Sequence, residues 1–429
     1  MPVGSAEHLV SKEIANTIVD PVAYQHWDQS HEAFTELRKS NPIAFAAPDD
    51  YDPFWVISKY DDIQTVERTS NLFSNAAHFP TLLSKTQKAQ ILELTGGSPH
   101  IIRSLIQMDN PDHMAHRILT QGWFMTKRLR ALEPRIREIA KEYVDQLLET
   151  GGECDFATDI AFFYPLRVVM EVIGVPREDE QMMLKLTQDL FGNGDPELSR
   201  DRANIGGAKA EVAAQTIEDF FGYFDALNKE RRASPKNDLA SIIATAKVHG
   251  DPIGHLEAMC YYIIAATAGH DTTAASTASS VWAVAERPNV FNDLKSSSDL
   301  IEGLVDEAIR WETPVKQFMR TALEDTELGG RKISKGDWLY LAYPSANRDE
   351  DHFDRPFEFD PARSPNRHMA FGYGAHVCLG QNLARMEMQI LWEEMLPHLK
   401  SIELSAPPKR MRANFVCGPK SVPIKFSTT

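Results

Sequence analysis

The chain has 429 residues, 43% of them hydrophobic and 25% charged, with a net charge of −16 at pH 7. That is an ordinary globular composition with apolar material for a large core. The acidic balance argues against general nucleic-acid binding, which needs a basic surface to meet phosphates.

The four cysteines, Cys154, Cys260, Cys378 and Cys417, lie far apart with no C-x-x-C pair, which argues against a disulfide framework and for a reducing compartment. The N-terminal stretch carries Glu7, Lys12, Glu13 and Asp20 and no apolar leader segment. No apolar run reaches the ~20 residues that would span a bilayer. A cytoplasmic protein without a membrane anchor is expected.

In chain order, Phe54-Trp-Val-Ile-Ser58 reads as a strand, and YDDIQTVERTS after it as the start of a helix. From about Arg117 to Asp293 the pattern is long and helical, broken by turn signals at 149–155, 174–179, 191–197 and 231–238. Shorter mixed segments return after Trp311. RTALEDTELGGRKISKGDWLYLAY predicts β-hairpins turning at Gly329-Gly330 and Lys335-Gly336. A proline-rich meander follows at 344–365, then the loop FGYGAHVCLG, a helix from about Leu379 to His398, and a tail, NFVCGPKSVPIKF, that reads as a strand pair. No linker divides the chain. The expected fold class is mainly α with a smaller β-rich part, one large domain over residues 1–429.

Cys378 sits in a glycine-rich loop at the start of an amphipathic helix. There, unpaired N–H groups and the positive end of the dipole favour a thiolate. Gly372, Gly374 and Gly380 would let backbone approach the sulfur and a flat ligand lie against the loop. With only His376 nearby, zinc fits poorly, an iron–sulfur cluster lacks ligands, and a single axial thiolate to heme iron fits best. The alternative is a buried structural thiol.

The helix CYYIIAATAGHDTTAAS joins a waist of small residues, Ala265 to Gly269, to an acid and an alcohol, Asp271 and Thr272. Thr272 can bond back to the carbonyl of Ala268, bending the helix beside a groove. The acid–alcohol pair reads as a proton relay or as part of a close helix crossing. His113 and Arg117 share one helix face, and with Arg320 and His376 they could hold two carboxylates. Glu307 and Arg310 form an i,i+3 pair. Such a pair is worth only ~0.2–0.5 kcal/mol at a surface; here it is expected to be buried and structural.

In this order the pieces resemble the cytochrome P-450 family of heme-thiolate monooxygenases. FGYGAHVCLG matches the family's cysteine loop at every fixed position, DEAIRW carries its E-x-x-R, AGHDTT its oxygen-activation motif and DHMAHR its H-x-x-x-R. NRDEDHFDRPFEFDPAR matches the meander. AHRILTQGWF, GECDFATD, SANRDED and the ending NFVCGPKSVPI further resemble the bacterial α-terpineol hydroxylase branch.

The resemblance implies heme b with Cys378 as its axial thiolate and metal ligand. His113, Arg117, Arg320 and His376 would hold the propionates, with Ala268 and Gly380 against the ring. Asp271 and Thr272 would deliver protons for oxygen activation, and Arg363 would join Glu307 and Arg310 in a structural triad. Substrate contacts are expected from Ala265, Ala268, Val315, Phe318, Phe415 and Val416, which suit a small hydrophobic monoterpenoid or aromatic hydrocarbon. Lys316 either faces solvent or meets a polar substrate group.

No flavin or nicotinamide domain is read in the chain. Electrons are therefore expected from a separate [2Fe-2S] ferredoxin and its reductase, docking on the basic segment TKRLRALEPRIR at 126–137, and a monomer suffices. A peroxide-driven enzyme and a heme-binding sensor are the other readings; the Asp271-Thr272 pair argues against the first, and the second would need neither a proton relay nor a substrate cavity.

Overall fold

The computed structural model describes residues 5–191, 195, 197, 198 and 210–429. The expected break at 191–197 therefore lies largely outside the described residues. The β-rich part is a five-stranded sheet, built from β1 (Ile43–Ala46), β2 (Phe54–Ile57), β3 (Phe73–Ser74), β5 (Gln317–Ala322) and β6 (Trp338–Ala342), in the order β1-β2-β6-β5-β3. Only the β2–β6 pair is parallel.

β2 is apolar throughout because both its faces are covered, as in any strand buried on two sides. Phe54 and Val56 point into one core, Trp55 and Ile57 into another. The same period of two sets Phe318 and Arg320 on one face of β5 and Met319 on the other, with Arg320 opposite Leu339. The short helix α1 (Tyr60–Arg68) inserts Ile63 and Val66 beneath this sheet. The hairpin expected after β5 is present as Thr326–Leu328 paired with Arg331–Ile333, turning at Gly329 and Gly330, both at positive φ.

Most of the rest is helical. α2 (Asp112–Gln121), α3 (Thr126–Glu149), α4 (Tyr164–Ile173), α5 (Glu180–Phe191), α6 (His255–Ala268), α7 (Asp271–Ala285), α8 (Leu300–Glu312) and α9 (Gln381–Met395) surround the largest core. α6 and α7 are one helical pattern in the sequence and two helices in space. The Thr272 hydroxyl donates to the carbonyl of Ala268 at 2.9 Å, taking over an acceptor that the helix ladder would use. Gly269 lets the break lie close to α4: a Cβ there would be 2.9 Å from Val169 Cγ2.

The C-terminal strand pair is corrected. β9 (Pro419–Ser421) pairs with β8 (Lys409–Arg410), while β10 (Pro423–Thr428) pairs with β7 (Leu399–Leu404) and with β4 (Glu153–Asp155). The chain changes sheets at Val422, whose N–H donates to Asp155 Oδ1 at 2.8 Å and whose carbonyl accepts from Phe156 N at 2.9 Å. No helix among the described residues is long and apolar enough to cross a membrane.

Candidate heme site and active centre

The break between α6 and α7 faces the cysteine loop across one cavity. Its wall includes Ala265, Ala268 and Thr272 on one side and Cys378 and Gly380 on the other. Cys378 alone of the four cysteines lines it. Cys417 is buried elsewhere, its thiol donating to the carbonyl of Met411 at 3.3 Å, and Cys260 accepts from the Arg103 N–H at 3.4 Å. The accessible surface of Cys378 opens into this cavity, so the thiol is enclosed by protein and open inward.

Cys378 N donates to the carbonyl of Phe371 at 2.8 Å, which closes the loop. Burial pushes the thiol up, and the backbone N–H groups of Gly380 and Gln381 with the Arg117 and Arg385 charges pull it back. The helix N-terminus thus favours a thiolate, as expected, against a larger cost of enclosure. Gly380 has open space where a Cβ would stand, which leaves that wall flat. Gly372 and Gly374 have a different purpose from the one expected: both lie at φ +68 and pack against Glu67 of α1.

One end of the cavity is cationic. His113 and Arg117 arrive from α2, Arg320 from β5 and His376 from the cysteine loop, and all four line it. The His113 and His376 rings lie 3.9 Å apart. Burial, reinforced by the neighbouring arginines, pushes His113 down to about 4 and His376 lower still, so both are neutral at pH 7. Both ring nitrogens of His113 are buried without a hydrogen-bond partner among the described residues. A buried polar group left unpaired calls for a ligand or solvent. A flat apolar wall, an inward thiol, two arginines and unpaired buried donors fit a heme with two propionates.

At the helix break, burial raises the Asp271 carboxyl and His270 opposes the shift; Asp271 Oδ2 has no partner. His270 is held by the carbonyl of Phe162 at 2.7 Å and the hydroxyl of Thr187 at 3.0 Å, with Asp271 Oδ1 3.6 Å away. It links Asp271 to α5, a position that a lone histidine inside an apolar run does not announce.

Of the expected substrate contacts, Ala265, Ala268, Val315 and Phe318 line the cavity. Phe415 and Val416 do not and are corrected to a supporting layer. Phe415 packs on Phe318 at 5.5 Å between ring centroids, and Val416 is bridged to Val315. Backbone pairing, including Lys316 N to Phe415 O at 2.8 Å, holds that segment behind the wall.

Both expectations for Lys316 are corrected as well. Its ammonium is buried and donates to the carbonyls of Glu312 and Thr313 at 2.8 and 2.9 Å and to Glu312 Oε1 at 3.2 Å. The expected triad is in contact: Arg310 meets Glu307 at 2.7 Å and Arg363 meets it at 3.1 Å.

This thiol-bearing cavity under a broken helix defines an oxygen-activating heme-thiolate fold. The cytochrome P450 family profile matches residues 296–426. Cytochrome P450-terp of a Pseudomonas species is 46% identical over 98% of this chain and 99% of its own. Linalool 8-monooxygenase of Pseudomonas putida is 29% identical over 91% of this chain and 94% of its own. A crystal structure from Novosphingobium aromaticivorans DSM12444 superposes with a TM-score of 0.91 at 42% identity, covering 98% of this chain and all of that one. A Mycobacterium marinum cytochrome P450 in complex with pseudoionone superposes with a TM-score of 0.85 at 31% identity, covering 93% and 95%.

The chain belongs to the cytochrome P450 family, in the branch of cytochrome P450-terp. It is a monooxygenase whose cofactor is heme on a cysteine thiolate.

Proposed function

We propose that the protein inserts one atom of O2 into a C–H bond of a monoterpenoid or small aromatic hydrocarbon, with Cys378 as the residue whose thiolate would hold the heme. The observation that carries this reading is the meeting of Cys378, Thr272 and Arg117 on one cavity whose remaining wall is largely apolar. Such a wall selects by shape and apolar contact. Ala265, Ala268, Val315 and Phe318 supply it, with Leu105 and Ile106 from the loop before Met108. The relatives named for linalool and solved with pseudoionone support a substrate of that size.

His113, Arg117, Arg320 and His376 hold the propionates, the arginines as charged donors and the histidines as neutral ones. Bound heme would supply dioxygen activation, a chemistry that a cysteine thiolate ligand favours. One oxygen atom enters the substrate and the other leaves as water, consuming two electrons and two protons. Asp271 holds a proton in an enclosed site, and Thr272, fixed by the carbonyl of Ala268, passes it inward. Replacing Thr272 with Ala lowers product formed per O2 consumed; unchanged coupling would remove the assigned role.

Electrons come from a [2Fe-2S] ferredoxin and its reductase. The basic segment is narrower than its sequence suggests, since Arg135 and Arg137 are occupied by Glu138, Glu171, Glu393 and Glu394. Lys127 and Arg130 remain exposed, and so do the apolar side chains of Met114, Ile118 and Met125 at 49%, 67% and 60%. Exposed cations on this segment suit a small acidic partner. The chain acts as one domain over 1–429, a cytoplasmic monomer.

The deciding measurement is the absorption spectrum of the reduced protein under carbon monoxide, for wild type and Cys378→Ala. A red-shifted Soret band that the variant loses is the expected result. A histidine-type carbonyl spectrum in folded wild type would overturn the ligand assignment and the mechanism with it.

A further inference from the structure

Helix α1 brings to the cationic end of the cavity an acid that the reaction above does not use. Glu67 is buried and lines the cavity beside Arg320, His376 and Gly372. Its Oε1 accepts from the Tyr343 hydroxyl at 2.7 Å and lies 3.4 Å from Arg320 Nη2. Its Oε2 is buried and has no hydrogen-bond partner among the described residues. The cysteine loop is fitted against it: a Cβ at Gly372 would stand 3.3 Å from Glu67 Oε1, and one at Gly374 would collide with the Glu67 carbonyl.

Every neighbour bears on the charge of this acid. Burial raises it, and Arg320, Tyr343 and a backbone hydrogen bond from Tyr373 lower it, leaving it at about 7. Arg68, next on α1, points away to the Tyr373 hydroxyl at 2.9 Å. Arg117 is the second permanent cation of this end, and His113 and His376 are neutral there. Two arginines balance two propionates. A third carboxylate in the same enclosure would be in excess, and carboxylates crowded in one site share the deficit by keeping a proton.

We propose that Glu67 is a neutral carboxylic acid in the heme-loaded enzyme, donating its Oε2 hydrogen to a propionate and so setting the charge felt by the heme. It is a positioning residue, and the inference rests on the propionate assignment above. When Glu67 loses its proton, the added negative charge disfavours the reduced state, so the heme potential falls as pH rises through that ionisation.

Two measurements on the heme-loaded protein test this. Infrared spectra in H2O and D2O should show a protonated-carboxyl band in wild type that Glu67→Gln removes, while the band of the buried Glu387 persists. Potentiometric titration across pH should show a bend at or above neutrality in wild type and a flat line over the same window in Glu67→Gln. An unchanged infrared spectrum in the variant overturns the proposal. So does a wild-type potential without a bend at or above neutrality, which requires no variant to fold. Failure of wild type to bind heme, or a carbonyl spectrum without the thiolate signature, would instead sink the reading on which the inference rests.

Discussion

Two buried clusters of charge lie on either side of the cysteine loop, and they are built differently. In the knot around Glu307, every charged group is paired within the chain. The carboxylate accepts from Arg310 twice at 2.7 Å, from Arg363 at 3.1 Å, from Asn366 at 3.1 Å and from the Asp360 N–H at 2.9 Å. The rest of the Arg310 fork reaches the carbonyls of Asn347, Pro356 and Glu358. At the cationic end of the cavity, both nitrogens of His113 and one oxygen of Glu67 have no hydrogen-bond partner among the described residues. A self-satisfied cluster holds elements together; a cluster with unmet donors is shaped for something that arrives later.

Breaking the knot should have the largest effect. Arg310→Leu leaves Glu307 buried beside Arg363 alone, and losing one member of a buried pair costs about 3–5 kcal/mol. Thermal unfolding should show a large loss of stability or no folded protein. A variant within experimental error of wild type would show that the knot is dispensable.

At the open cluster the outcome is inverted. Arg117→Leu should leave the heme-free fold nearly as stable as wild type while weakening heme retention by about 1.5–3 kcal/mol, the usual worth of a hydrogen bond to a charged group. Competition with apomyoglobin measures this directly, and equal retention would remove Arg117 from the propionate set.

Lys316 falls on the self-satisfied side of the comparison. Lys316→Met should lower stability by about 1–3 kcal/mol through the carbonyls it leaves unpaired, with substrate affinity unchanged in a spectral titration. A selective loss of affinity would return Lys316 to the substrate site.

The smallest effect separates wall from support. Phe318→Ala should weaken binding of a hydrophobic ligand by about 1 kcal/mol, a fraction of a buried aromatic side chain, and Phe415→Ala by less. The reverse order would put Phe415 at the substrate surface.

Most of the site was legible in the chain because its signals are local. His113 and Arg117 share a helix face by spacing, Thr272 stands four residues after the carbonyl it bonds, and Glu307 and Arg310 are three apart. Elsewhere local pattern misled. The basic run at 126–137 gave no sign that Arg137 would be spent on Glu393 and Glu394, more than two hundred residues away in the chain. Lys316, between Val315 and Gln317, looked solvent-facing or substrate-facing because Glu312 and the turn carbonyls that hold it are recognisable only once α8 ends at Thr313 in a left-handed conformation.

The sequence by itself determined the family, the helical class, the cysteine loop and the adjacency of Asp271 and Thr272, since each is written in a short contiguous motif whose chemistry depends on its own spacing. Only the tertiary structure decided which side chains reach the cavity. Phe318 was separated from Phe415, and Cys378 from Cys417, by strand pairing across distant segments. Glu67 was brought beside Arg320 and His376 by the packing of α1 against the cysteine loop. Burial and charge balance depend on every neighbour at once, and those neighbours come from chain segments that no local pattern connects.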